Sequence, residues 1–173
     1  KFEYADGGTL FMDEVGEMTL RMQALLLRFF ETGEIQQVGA DRLSAPLDVR
    51  VICATHRDLR ARVRDGAFRE DLFYRLNVVH VHIPPLRERR DDVGALVDHF
   101  LTQFAQRHRM ERPELAREVT DLLLDYDWPG NVRELKNVIE RMVVRNQSAI
   151  GLAELPLELR LAAFSGEADT AVP

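Results

Sequence analysis

The chain has 173 residues, of which 46% are hydrophobic and 30% charged, a globular balance with room for one domain or two small ones at roughly 150 residues each. Its 23 basic and 29 acidic residues leave a net charge of −6, which argues against a domain that wraps nucleic acid unaided, since such domains are usually basic. No apolar stretch approaches the about 20 residues of a membrane crossing, Lys1-Phe2-Glu3-Tyr4 opens no signal peptide, and the missing initiator Met predicts a start inside a longer protein.

In chain order, Asp6-Gly7-Gly8 marks a turn. Thr9 to Met12 is a short apolar run without polar alternation, which predicts a strand buried on both faces of a parallel sheet. It stops at two acids, Asp13 and Glu14. Thr19 is placed to cap a helix with Met22, Leu25, Leu26, Phe29 and Phe30 at helical spacing, and Gly33 fits its C-terminal end. Glu34 to Asp48 is polar and turn-rich, with Ile35 and Val38 in a small hairpin. Val49 to Ala54 predicts a second strand, ending at Thr55-His56. Short helices are expected over about Leu59 to Asp65, broken by Gly66, and over Phe68 to Leu76. Val78 to Ile83 alternates as a strand would, and Pro84-Pro85 stops it.

After Pro85 the pattern turns helical. Asp91 is placed to cap a helix carrying Val93, Leu96, Val97, Phe100, Leu101 and Phe104 at spacings of three and four. Val119, Leu122 and Leu123 mark another, ending before Trp128-Pro129-Gly130. Asn131 with Glu134 has the spacing of a capping box for a third. The organisation expected is therefore an α/β part over 1–87, an all-helical part over 88–161, and an acidic tail over 162–173.

The chemistry-bearing residues sit at element ends. A strand closing on Asp13-Glu14 presents two carboxylates where parallel sheets carry their sites. One can hold Mg²⁺ and the other polarise an attacking water; an acid pair at a helix start is the plainer alternative. A polar residue such as His56 at the next strand end could sit beside a γ-phosphate, or be an ordinary loop residue. From Arg57 to Arg90 nine Arg stand against five acids, a local +4. Arg69 and Arg75 flank Glu70-Asp71, and either surface ion pairs or an arginine offered to a neighbouring subunit's phosphates would account for them. Arg133, in a first helical turn, is mildly unfavourable to the dipole and points to a separate anionic partner. His80 and His82 share one strand face but have no third metal ligand nearby. The single Cys53 excludes internal disulfides and Cys-based zinc sites, and suits a reducing cytoplasm.

Together these segments form one pattern. Asp6 to Glu17 resembles the Walker B segment of the bacterial sigma-54-dependent transcriptional activators, members of the AAA+ ATPases. Arg50 to Leu59 resembles their sensor I region, Phe68 to Asn77 their arginine-finger region, and Pro84-Pro85-Leu86-Arg87-Glu88-Arg89 a further family motif. Trp128-Pro129-Gly130-Asn131-Val132-Arg133-Glu134-Leu135 resembles sensor II. The resemblance runs in order over about residues 1 to 150. It implies the latter part of an AAA+ P-loop NTPase parallel sheet followed by a helical lid. It implies that Asp13 serves Mg²⁺ and Glu14 activates water. Arg69 and Arg75 would act in trans, and Arg133 would touch ATP from the lid. Gly33 to Asp48 would be the loop that moves with nucleotide state near the ring pore. Relatives often carry Asn where this chain has His56.

The resemblance further implies a homo-oligomeric ring, a hexamer, that couples ATP hydrolysis to remodelling of the sigma-54 RNA polymerase promoter complex in the cytoplasm. No G-x-x-x-x-G-K-[ST] and no Gly-Ala-Phe-Thr-Gly-Ala segment occurs, and Lys1 and Lys136 are the only lysines. The chain alone is therefore expected to be inactive as an ATPase. DNA contact is expected only through a domain not evident here, and no membrane contact is expected. The competing readings are a helix-turn-helix at Trp128 to Arg145 that reads DNA, and an AAA+ remodeller with another target. The mixed charge of Arg133, Glu134, Lys136, Glu140, Arg141 and Arg145 weighs against the first of these.

Overall fold

The computed structural model describes residues 1–34, 46–145, 149–157 and 159–161. The hairpin expected at Ile35 and Val38, most of the Gly33 to Asp48 loop and the acidic tail lie outside the described residues. The chain divides into two units, Lys1–Val81 and His82–Pro173.

In the first unit, strand β1 (Thr9–Met12) pairs in parallel with β2 (Arg50–Cys53), with Thr9 opposite Arg50 and Met12 opposite Cys53. Helix α1 (Leu20–Thr32) lies between them in sequence, as a parallel connection requires. Thr19 accepts a hydrogen bond from the Met22 N–H at 3.3 Å, and Gly33 ends the helix at φ 72°, a left-handed conformation that suits a residue without Cβ. Helices α2 (Leu59–Arg64) and α3 (Glu70–Leu76) follow. The core gathers Leu26, Leu27 and Phe29 of α1 with Phe68 and Leu72.

Three expectations fail here. Met22 and Leu25 are half exposed, and the buried side of α1 carries Gln23, Leu26, Leu27 and Phe29. The apolar content of this helix wraps most of its circumference, so spacing alone did not select the face. Strand β1 is not buried on both faces: Phe11 is 61% exposed, and its cross-strand neighbour Ile52 is 43% exposed. Two strands with one packed face leave the other open among the described residues. Val78 to Ile83 forms no strand, and Val78, Val79, Val81 and Ile83 are all exposed. Alternation supplies a face but no ladder partner, and without one an extended segment has no reason to register as a strand.

The second unit is helical. Helix α4 (Asp91–His108) buries Val93, Val97, Phe100, Leu101 and Phe104. It packs on α6 (Asn131–Arg145), which buries Leu135, Val138, Ile139, Met142 and Val143. Helix α5 (Arg117–Asp125) adds Val119 and Leu123. Two-residue strands β3 (Glu114–Leu115) and β4 (Ala149–Ile150) pair in parallel. Trp128 lies fully buried in this core, and its indole N–H donates to the Leu123 carbonyl at 2.9 Å.

Two caps differ from expectation. Asp91 is the first residue of α4, and Arg90 holds the cap position without a side-chain capping bond, its guanidinium donating to Asp127 Oδ1 at 2.8 Å instead. At α6 the Glu134 carboxylate accepts from the Gly130 N–H at 2.7 Å, while Asn131 Oδ1 accepts from the Leu86 N–H at 2.7 Å. Asn131 therefore joins the Pro-Pro-Leu segment to the helix start, and the reciprocal bond of the capping box shifts back by one residue.

Candidate active site

The carboxyl ends of β1 and β2 lie side by side because the strands are parallel and in register. Beyond them Ala54 makes two backbone bonds, donating to Met12 O at 2.8 Å and accepting from the Val15 N–H at 3.1 Å. Asp13 and Glu14 are thus held between two fixed points, with Val15 buried beneath them. Glu14 adopts φ 55°, ψ 43°, a left-handed conformation uncommon for a residue with a Cβ. The Asp13 Oδ1 accepts from the Glu14 N–H at 3.0 Å. The Glu14 Oε2 lies 2.7 Å from His56 Nδ1. The structure therefore unites Asp13, Glu14 and His56. All three are exposed to solvent.

A second layer steadies this end. Arg57 Nε donates to Glu17 Oε1 at 2.5 Å, and that bond, before the charge attraction itself, holds the Glu17 carboxyl below its usual range. The Thr55 Oγ1 accepts from the Arg57 N–H at 3.1 Å. Gly16 is buried where a Cβ would stand 2.6 Å from Thr55 Oγ1 and 3.0 Å from Arg57 Cβ. Only glycine lets these loops approach so closely. Cys53 is half-buried, and burial pushes its thiol up.

Arg69 and Arg75 stand at the two ends of α3 and are of two kinds. Arg69 occupies the N-cap position, with its Nε on Asp71 Oδ1 at 3.0 Å and an NH2 on Asp71 Oδ2 at 2.7 Å. This bidentate pair raises the Arg69 guanidinium and lowers the Asp71 carboxyl from their ordinary values. Arg75, in the last turn, is exposed and has no ion pair or side-chain hydrogen bond among the described residues. Arg133 stands exposed in the first turn of α6, in the second unit, likewise without an ion pair among the described residues. His80 and His82 are exposed, and no group of three or more His, Cys, Asp or Glu residues that could hold a metal occurs among the described residues.

Sequence reasoning passed over Gln23. It is fully buried, donates to Met18 O and Ala67 O at 2.8 and 3.1 Å, and accepts from the Arg69 N–H at 2.8 Å. A polar residue one turn before Leu26 and Leu27 was the available signal.

Residues 1–82 match the family model described as Sigma-54 interaction domain, and residues 87–171 the one described as AAA+ ATPase lid domain. The chain belongs to the sigma-54 interaction family of AAA+ modules. It is 49% identical over 160 residues to the transcriptional regulatory protein ZraR of Escherichia coli K12, covering 92% of this chain and 36% of ZraR. It is 48% identical over 160 residues to the regulatory protein AtoC of the same organism, covering 92% and 34%. This sigma-54 interaction chain thus spans about a third of the length of those curated relatives. Its fold matches the crystal structure of NtrX from Brucella abortus in complex with ATP, with a TM-score of 0.84 at 34% identity, over 94% of this chain and 39% of NtrX. The architecture is accordingly the latter part of an AAA+ sheet with its helical lid.

Proposed function

We propose that the chain is the hydrolytic and lid part of an ATPase module that remodels a sigma-54 RNA polymerase promoter complex. The observation that carries the reading is the Asp13-Glu14 pair, held at the joined ends of two parallel strands with Glu14 on His56. Family membership and the ATP complex of NtrX support it.

In this reading Glu14 accepts a proton from the attacking water, with its second carboxylate oxygen available for that bond. Asp13 is a hard oxygen donor whose Oδ2 has no hydrogen-bond partner among the described residues. That suits Mg²⁺, which takes one or two carboxylates and completes its shell with water and substrate phosphate. When bound, the ion supplies charge neutralisation between phosphates. Arg75, with no ion pair among the described residues, is the arginine presented to an adjacent subunit's nucleotide. Arg69 is committed to Asp71 and keeps the start of α3 in place, so its trans role requires release of that pair. Arg133 reaches nucleotide from the lid. The intact protein works as a cytoplasmic ring, a hexamer, and contacts DNA through another domain.

The chain by itself has no phosphate-cradling glycine loop or its lysine. Titration of the chain with Mg·ATP is expected to give no binding in the micromolar range and no turnover. The module carrying its upstream phosphate-binding segment is expected to hydrolyse ATP and to open a sigma-54 promoter, and Glu14→Gln to abolish both while ATP still binds. Full hydrolysis by Glu14→Gln would defeat the reading.

A further inference from the structure

We infer that Gln23 is a positioning residue for the arginines of α3: its buried amide fixes the start of that helix and so aims Arg75 at the nucleotide of the adjacent subunit. The inference rests on the reading of Arg75 as the arginine that acts in trans.

Among the described residues Gln23 is the one buried polar side chain. Its amide nitrogen donates to Met18 O at 2.8 Å and to Ala67 O at 3.1 Å, and its oxygen accepts from the Arg69 N–H at 2.8 Å. Partners of both kinds fix which way the amide faces. Burying an amide carries a desolvation cost that an apolar side chain of similar size avoids. What Gln23 brings to this core is therefore its bonds, not its volume.

Two of the three bonds fall on the segment that enters α3. That helix has seven residues, and Arg69 at its N-cap makes no side-chain cap bond. The Arg69 guanidinium is turned to Asp71 instead. A helix this short does not hold itself in water. Its place is set by Phe68 and Leu72 in the core and by the bond that Gln23 makes to the residue at which it begins. Arg75 lies in the last turn, about 9 Å along the axis from Arg69 at about 1.5 Å per residue. A tilt of about 10° at the start thus carries the far end by about 1.5 Å. Misplacement by about 1 Å can cost a reaction about 10²-fold.

The third bond, on Met18 O, lies beyond the acid pair, and that side has its own support. The Val15 N–H is on Ala54 O at 3.1 Å, the Glu17 N–H on Glu14 O at 2.9 Å and the Met18 N–H on Val15 O at 3.3 Å. Loss of the amide therefore leaves Asp13 and Glu14 in place and loosens α3. A subunit without it keeps a working base for its own nucleotide and offers a misaimed arginine to its neighbour.

The test uses the ATP-hydrolysing module with its upstream segment present. Gln23→Met, an unbranched side chain without the amide, should lower kcat at least roughly tenfold and change the KM for ATP less than about twofold. Rings mixed from Gln23→Met and Glu14→Gln subunits should exceed both parents, because some interfaces join a well-aimed Arg75 to an intact Glu14. Rings mixed from Gln23→Met and Arg75→Ala should gain nothing, since both lack the same part. A residue that merely held the core together would disable the base of its own subunit as well, and mixing with Glu14→Gln would then recover no activity. That result, parental kcat for Gln23→Met, or a change confined to KM would overturn the proposal. Gln23→Glu keeps an acceptor opposite the Arg69 N–H and should retain more kcat than Gln23→Met; it carries the same mixing test if Gln23→Met does not form rings. Failure of both variants to fold would make Gln23 a core residue alone and overturn the proposal too. If Arg75→Ala mixed with Glu14→Gln gains nothing, the reading of Arg75 fails first. If that mixture gains and the Gln23→Met mixture does not, this inference alone fails.

Discussion

Gln23 is a buried amide with three hydrogen bonds: two join α1 to the loop entering α3, through Ala67 O and the Arg69 N–H, and one holds Met18 O just before α1. Replacing it by Leu leaves the Arg69 N–H and two carbonyls without partners, and an unsatisfied buried group costs about 1–3 kcal/mol. Gln23→Leu is therefore expected to lower the stability of residues 1–81 by at least that amount in urea denaturation, and to speed hydrogen exchange at the Arg69 amide. Acid should act on Glu17 and Asp71. Both carboxyls are held below their ordinary values, Glu17 by the Arg57 hydrogen bond and Asp71 by Arg69. A depressed carboxyl contributes stability that is present above its unfolded value and lost as pH falls through its folded one. The contribution should thus fade below about pH 4. Both groups are exposed to solvent, so the effect is small and screened. Carbon NMR titration should place the Glu17 midpoint below that of an ordinary Glu, and Arg57→Ala should return it. At this scale the placement of the acids was legible, because an apolar strand that halts at Asp13-Glu14 leaves two carboxylates at a sheet end. The partner of Arg69 was not. Glu70 and Asp71 were equal candidates in sequence, and the helix start chose Asp71, whose Oδ1 also takes the Leu72 N–H at 2.7 Å.

At the scale of elements, what sequence pattern reveals is a surface, and what it conceals is whether a neighbour exists to cover that surface. The lid helices were legible because their apolar stripes meet one another: α4 and α6 each carry a buried row that the other completes. Val78 to Ile83 had an equally clear pattern and found no partner among the described residues, so four large apolar residues stand exposed. Amides over 78–83 are expected to exchange without measurable protection, whereas those of Leu135, Ile139 and Val143 should be the slowest in the chain. The turn between α5 and α6 gives a further check. Trp128 sits at φ 50° with its indole N–H on Leu123 O, inside the lid core. Trp128→Phe removes ring volume and leaves that carbonyl unpaired, at a cost of about 1–3 kcal/mol from the hydrogen bond alone. Far-UV circular dichroism during urea denaturation should show the lid transition moving to lower denaturant. An unchanged midpoint would mean that water replaces the indole at that carbonyl.

For the whole molecule, the proposed function turns on whether Arg75 serves a nucleotide at all and, if so, that of its own subunit or of another. It stands exposed in the last turn of α3, with no anionic partner among the described residues, whereas Arg69 at the other end of the helix is bound to Asp71. An arginine finger contributes about 10³-fold or more to phosphoryl transfer, through a planar fork that Lys lacks. In the module with its upstream segment, Arg75→Ala is expected to bind ATP as the parent does and to lose hydrolysis by that order. Arg75→Lys should not rescue it. Glu14→Gln fails for a different reason, at the base. If Arg75 acts in trans, a ring mixed from the two variants regains some competent interfaces, each pairing an intact Arg75 with an intact Glu14. Activity plotted against mixing ratio should then rise to a maximum at intermediate composition, at concentrations where rings form. If Arg75 acts in cis, no subunit in the mixture holds both residues, and the plot stays flat near zero. Hydrolysis by Arg75→Ala at the parental rate would instead make it a solvated surface arginine and leave the trans role without a residue on α3 other than the one already engaged by Asp71.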